Sequence, residues 1–503
     1  MKMPLLIFNF SLLLLLVASG CSRDWPNAVT PSNEQAKIWP DYANLAIPYN
    51  IAPLNCEIKN SGEAFLFKLS SFDGKQSYTG TGKTVTFPLK TWRSIVEASR
   101  GKHLTLDIVV QRNGEWFKLL TTTNAVAHDP IDSALVYRLI PPSYERFQTL
   151  QICQRDLTSF NERTLFSNQQ VSQEQCINCH TFKNYDGRNF AFHTRLYKGG
   201  TVIFRDGKAP LKTDLKDDNL YSGGAYPAWH PVDDNLFAFS VNKTRQTFLM
   251  THNNKIEVLD SQSGLILYDA NKNEVSPIHL ADNQFATFPA WSPDGKTLYY
   301  TMAEMNNLPP VSDETNRLNE IALQSTNMFY HLVCRSFDKE TKTFGVPRLL
   351  INAKESHASI SFPSVSPDGT YLMMTVLRCA NFPVWHKESD LWLYNIKTQE
   401  SRALTELNSP EADSYHAWGS NSRWFVFGSR REDGIHTRPY LAYFNPTTGK
   451  AGKPFIVPQK YPHFYEETFL SYNRPELLSI PVPYSAEAIR QAVLQPAVKA
   501  TFK

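Results

Sequence analysis

The sequence predicts an all-β protein in two bodies, an N-terminal immunoglobulin-like β-sandwich and a C-terminal β-propeller of five or six blades, joined by a short polar connector. Three observations predict it. Alternating apolar runs of strand length fill residues 45–150, a four-strand unit recurs beyond residue 200, and a Gln- and Asn-rich stretch lies between them.

Residues 1–20, MKMPLLIFNFSLLLLLVASG, place Lys2 ahead of an apolar run that ends in small residues, the shape of a secretory signal. Val17-Ala18-Ser19-Gly20-Cys21 resembles the bacterial lipobox, which implies cleavage before Cys21 and acylation of its thiol. Two or more acyl chains hold a protein stably to a bilayer where one does not. By the same resemblance an aspartate after the cysteine would favour inner-membrane retention. Ser22 stands there instead, so the expectation is an outer-membrane lipoprotein facing the periplasm. Residues 21–44, without sustained periodicity, read as a tether. No other apolar stretch is long enough to span a bilayer. A net charge of +3, with the two signs interspersed, offers no basic field for nucleic acid.

The sandwich is expected over 45–150, from EAFLFKLSS, KTVTFPL, HLTLDIVVQ, EWFKLLTTT and ALVYRLI, with one helix at TWRSIVEAS. Asn113-Gly114 marks a two-residue hairpin, whose central residues both need positive φ. Residues 151–188 read as the connector, 189–482 as the propeller and 483–503 as a C-terminal tail. Propeller units begin at YPAWHPVDDNLFAFS (226), FPAWSPDGKTLYYT (288), FPSVSPDGTYLMMT (362) and YHAWGSNSRWFVFGS (415), each followed by a second strand pair. The SPDG turns at 292–295 and 366–369, with their aromatic prefix, resemble the repeats of TolB-like propellers. Residues 189–213 read as a degenerate further blade, and ETFLSYNRPELLSI as the strand that closes the ring. Asp294-Gly295 and Asp368-Gly369 are turn residues on this reading, since Asp and Gly are what a tight turn selects.

The connector carries the chemistry. Cys176-Ile177-Asn178-Cys179-His180 is the c-type haem attachment signature. On one turn of helix, thiols at i and i+3 face the same side and each can add across a haem vinyl group, with the adjacent histidine beneath the iron as proximal ligand. With seven Cys and thirteen His, random placement gives the pattern about 0.0025 times per chain. A thioredoxin-like disulfide would want a βαβ surround, and a zinc site a second Cys or His pair nearby; neither is present in the sequence. The expected cofactor is one covalent haem c. His193 is the nearest candidate for the sixth iron ligand, with a histidine facing the first blade as the equal alternative. His230 and His416, near the starts of repeats, are candidates for the central face. Four further cysteines, Cys56, Cys153, Cys334 and Cys379, are either free or include a Cys56–Cys153 disulfide, which export permits.

The whole layout resembles cytochrome-linked TolB-like lipoproteins of Gram-negative bacteria, of Bacteroidetes type. The first expectation is a membrane-tethered periplasmic monohaem c-type cytochrome, transferring electrons between redox partner proteins that dock on it. The alternative is a binding propeller in an envelope complex, with a structural or sensory haem. A haem oxidoreductase ranks third, because no base, nucleophile, phosphate loop, G-x-S-x-G elbow or H-E-x-x-H pair is present.

Overall fold

The computed structural model describes residues 25–141, 144–171, 174–216, 222–248 and 256–503. The signal and Cys21 lie outside the described residues. Among the described residues no helix is long and apolar enough to cross a membrane.

Six sheets of four or five strands follow one another around an axis. Their inner strands are Gln175–Lys183, Ala225–Trp229, Gln284–Trp291, Ser359–Val365, Asp413–Trp418 and Ser471–Leu478. Successive inner strands pack side by side. The last sheet meets the first where an Arg138 guanidinium N–H donates to the Ile177 carbonyl at 3.3 Å and the Gly187 amide donates to the Ile480 carbonyl at 2.8 Å. Because each sheet is covered on both faces by its neighbours, its strands read as continuous apolar runs. Leu236, Phe237, Ala238 and Phe239 are all buried, the odd and even residues in different clusters.

The SPDG turns form as expected: Gly295 and Gly369 take φ near +70°, and the Asp294 carboxylate accepts from the Ser292 hydroxyl and the Lys296 amide. The ring closes through ETFLSYNRPELLSI, whose strand Ser471–Leu478 pairs antiparallel with Ala134–Ile140. One sheet thus holds both ends of the ring, so that opening it would break a strand pair.

Several boundaries differ from the sequence expectation. Ala134–Ile140, the expected last strand of the sandwich, belongs to the ring-closing sheet with Gln151–Asp156 and Glu162–Ser167. The expected connector therefore supplies the strands Gln151–Asp156, Glu162–Ser167 and Gln175–Lys183. Their polar residues alternate with buried ones such as Ile152, Leu165 and Phe166. The expected tether already contains Thr30–Gln35 and Ile38–Trp39, and Tyr42 is buried. The tail is ordered too. Helix Ala486–Leu494 buries Ile489 and Val493, and Val498–Lys499 and Thr501–Phe502 each extend the outer edge of a sheet.

The N-terminal body consists of a seven-stranded and a three-stranded sheet with helix Leu89–Ala98, which buries Trp92, Ile95 and Val96. The Asn113-Gly114 hairpin takes φ of +52° and +81°. Two parallel pairs, Thr30–Gln35 on Glu115–Leu120 and Ala46–Pro48 on Thr122–Ala127, depart from the antiparallel pairing of an immunoglobulin sandwich. One apolar cluster runs from Ile47 and Trp92 to Trp424 and Phe444, so this body and the ring share a core. At their junction the Asp132 carboxylate accepts from the Ser420 amide at 2.7 Å and hydroxyl at 2.6 Å. Asp132→Ala strands a buried amide and is expected to lower stability by about 1–3 kcal/mol in urea unfolding.

Candidate functional site

Every inner strand carries a β-bulge at the same place. The bulged residue takes a left-handed conformation: Cys179 (φ +39°), Tyr226 (+48°), Phe288 (+55°), Phe362 (+50°), Tyr415 (+48°) and Arg474 (+47°). Positive φ is uncommon outside glycine, and recurrence at one register in six sheets makes it a designed feature of the ring. The bulge residues meet at the axis. Tyr226, Phe288, Phe362 and Tyr415 touch in succession with ring centroids 4.4–4.6 Å apart, and the Arg474 guanidinium lies 5.9 Å from the Tyr226 ring. Cys179 completes the set.

The haem motif is thus one repeat unit of the ring. Cys179-His180 stands at the register of Tyr226-Pro227, Phe288-Pro289, Phe362-Pro363, Tyr415-His416 and Arg474-Pro475. The expected helical turn is not formed, because residues 175–183 pair along Asp186–Leu196 as an inner strand. The bulge at Cys179 does what the helix was expected to do. It breaks the strict alternation of strand side chains, so that Cys176 and Cys179 line one cavity.

That cavity, about 360 Å³, covers the near end of the axis. Its walls include Ile140, Phe147, Leu150, Val258 and Phe382, with the bulge residues Tyr226 and Tyr415 beside them. Three arginines, Arg138, Arg195 and Arg474, also line it. Burial raises the Cys176 thiol pKa, while Arg138 and Arg195 oppose that shift. The arginines were not singled out in the sequence. Arg474 carried a signal, since Arg474-Pro475 occupies the aromatic-Pro register; Arg138 and Arg195 carried none.

His180 is buried and does not line this cavity. Its ring is hydrogen-bonded to the Arg474 backbone, which leaves Nε2 without a hydrogen-bond partner and 3.5 Å from Glu476 Oε1. Burial, with Arg474 and Arg138 nearby, holds the imidazole well below its usual pKa and hence neutral. Burial pushes Glu476 up to about 7. An imidazole oriented through one nitrogen, with the other free and neutral, suits a metal ligand.

His193 does not join it. Phe192 is the cross-strand partner of His180, and the next residue along a strand faces the other side of the sheet. His193 accordingly lies against Gly223, on the other face of the strand from His180, its Nδ1 3.1 Å from Thr201 Oγ1. His230 serves a turn: Nδ1 accepts from the Val232 and Asp233 amides, and Nε2 is 3.0 Å from the Gly295 carbonyl. His416 does reach the axis. Among the described residues no group of three or more His, Cys, Asp and Glu side chains is placed to hold a metal ion by itself. Cys56 and Cys153 are buried free thiols, not a disulfide, as are Cys334 and Cys379.

A ring of radially arranged antiparallel sheets, closed by a strand from the far end of the chain, decides the fold class. The protein is a β-propeller. No family model and no curated protein matches the chain. Among solved structures it is similar to an oligogalacturonate lyase in complex with manganese, at 12% identity over 63% of this chain and 73% of the other, TM-score 0.35. It is also similar to a nidogen/laminin complex chain, at 8% identity over 69% and 99%, TM-score 0.38. The Dos1 propeller is a third, at 15% identity over 46% and 61%, TM-score 0.26. These are likenesses of fold and nothing finer.

Proposed function

We propose that the protein is a membrane-anchored periplasmic c-type cytochrome built on a six-bladed TolB-like propeller, with one haem c held through Cys176 and Cys179 and its iron through His180. The observation that carries the reading is the convergence of both motif thiols on one cavity whose lining combines apolar side chains, three guanidiniums and the polar Asn242, Thr244 and Gln246. Apolar walls suit a porphyrin face, and the arginines suit its two propionates. His180 does not line the cavity, and its neutral Nε2, 3.5 Å from Glu476 Oε1, would have to turn toward it to hold the iron. A haem so bound supplies reversible one-electron chemistry. The chain's own part is to fix the thiols, orient the imidazole and cover the macrocycle. Electron transfer with redox partner proteins then needs one edge of the haem near the surface, and the mouth beside Cys176, Arg195 and Leu196 provides it: Cys176 is half-buried and Leu196 exposed. The lipid anchor at Cys21 would keep the protein on the outer membrane.

A second reading is favoured by one observation, the equivalence of Cys179-His180 with five other channel pairs. On it the motif belongs to a ligand-binding propeller of an envelope complex. The experiment that separates them is a visible spectrum of the protein exported with a haem-maturation system, oxidised and dithionite-reduced, followed by a haem stain after denaturation. Sharp reduced bands and a stain that survives denaturation are expected. A folded, exported protein without haem would overturn the cytochrome and leave the binding propeller.

A further inference from the structure

Beneath the ring of bulge residues lies a second, smaller chamber of about 160 Å³, on the axis itself. Its apolar walls come from the Phe288 and Phe362 rings and the prolines that follow the bulge residues, Pro227, Pro289 and Pro363. Its ionisable groups other than tyrosine come from two adjacent sheets, His416 from one and Arg474 and Glu476 from the other, with Ser364, Tyr226 and Tyr415 also on the lining. Three of their atoms have no hydrogen-bond partner, His416 Nε2, Arg474 Nη1 and Glu476 Oε1. Glu476 Oε1 faces His180 Nε2 at 3.5 Å; buried polar atoms are almost always satisfied, so the His416 and Arg474 atoms call for an occupant that supplies partners. His416 is 7% exposed, and burial holds its pKa down to about 4, so it is a neutral donor or acceptor. Arg474 is the fixed charge. A guanidinium edge matches a planar carboxylate, and the proline and phenylalanine walls match a short apolar body.

We infer that the axial chamber is a binding site for a small organic monocarboxylate, its carboxylate held by Arg474 and His416 and its body among Phe288, Phe362 and the channel prolines. The site uses neither Cys176, Cys179 nor His180, but Arg474 lines the thiol cavity as well, so the haem-free form is the one in which the chamber is tested by itself. Ordered water is the competing occupant: it would satisfy the same atoms but discriminates neither charge nor shape.

The test is calorimetric titration of propionate and benzoate, with sulfate and benzylammonium as controls, into the full mature protein and into its Cys176→Ala, Cys179→Ala form. Saturable binding of at least one carboxylate to both forms is expected, with no binding of benzylammonium and weaker binding of sulfate. Arg474→Gln and His416→Gln should each weaken it about tenfold or more, as the loss of a charge-assisted or buried hydrogen bond implies. Ala417→Leu, which narrows the chamber from its wall, should abolish it with the circular dichroism spectrum unchanged. Binding of neither carboxylate, equal binding of sulfate, or full binding to both Arg474→Gln and Ala417→Leu would overturn the assignment. Because the haem-free form is titrated in parallel, failure here is separable from failure of the cytochrome reading.

Discussion

A mature chain carrying Cys176→Ala and Cys179→Ala is expected to fold like the wild type and to keep no haem after denaturation. Each substitution removes one sulfur atom from a cavity wall, a change worth about 1 kcal/mol at most for a side chain not at the centre of a core. The inner strand Gln175–Lys183 keeps its ladder to Asp186–Leu196, and Ile177 and Phe182 keep their places in the apolar cluster with Phe190 and Phe192. On the cytochrome reading, thioether bonds would be the only covalent hold on the macrocycle, so losing both would leave none. Mass spectrometry of the intact chain reads the outcome as the presence or absence of the haem mass. Single substitutions sharpen it: Cys176→Ala and Cys179→Ala should each leave one bond and a reduced yield. His180→Ala should leave both bonds and alter the spectrum instead. Retention of the full haem mass in the double variant would place the attachment elsewhere and remove the cavity's role.

The ring was legible in the sequence where its signal is periodic, and illegible where that signal is carried by geometry. The aromatic-Pro pairs at 226, 288 and 362 and the SPDG turns at 292–295 and 366–369 repeat in composition as well as in place, and mark inner strands and their turns. At 474 only the following proline repeats, and at 179, where the register holds Cys-His, no residue type of those pairs does; only the bulge and its positive φ do. That is why residues 151–188 read as a connector. It is also why the motif was assigned to the helical turn such pentapeptides usually occupy. Ala134–Ile140 misled for another reason. An apolar strand buried on both faces has the same sequence character in a sandwich as in a propeller, and its partner Ser471–Leu478 lies more than three hundred residues away. That His193 and His180 face opposite sides of their sheet follows from strand parity, which is fixed by a pairing register that sequence does not print.

Above pH 8 the wall of the thiol cavity is expected to loosen, through His386. The long hairpin of Leu236–Phe248 and Ile256–Asp269 reaches past its sheet and carries Val258 into that wall and Glu257 beside it. Facing it, the turn Pro383–Trp385 leads into His386, which is wholly buried with Nε2 2.9 Å from Glu257 Oε2 and Nδ1 3.2 Å from Glu388 Oε1. Ile256, Val258, Phe382, Val384 and Trp385 form one apolar cluster around the contact, and the Arg430 guanidinium stacks on Trp385 at 3.3 Å. Burial pulls the imidazole pKa down, but the two carboxylates more than reverse that and hold it at about 9. A raised pKa in the folded state means stability that is present in full below the unfolded value near 6.5 and lost as pH rises through 9. The shift corresponds to about 3 kcal/mol for the latch. Urea unfolding of the wild type should therefore weaken between pH 7 and 10 by that order relative to His386→Gln, whose own curve over the same window should be flatter and lower at pH 7. Hydrogen exchange should localise the difference to residues 256–269 and 380–390. Equal pH slopes in the two proteins would mean that the histidine is neutral at pH 7. The hairpin would then be held by the apolar cluster alone.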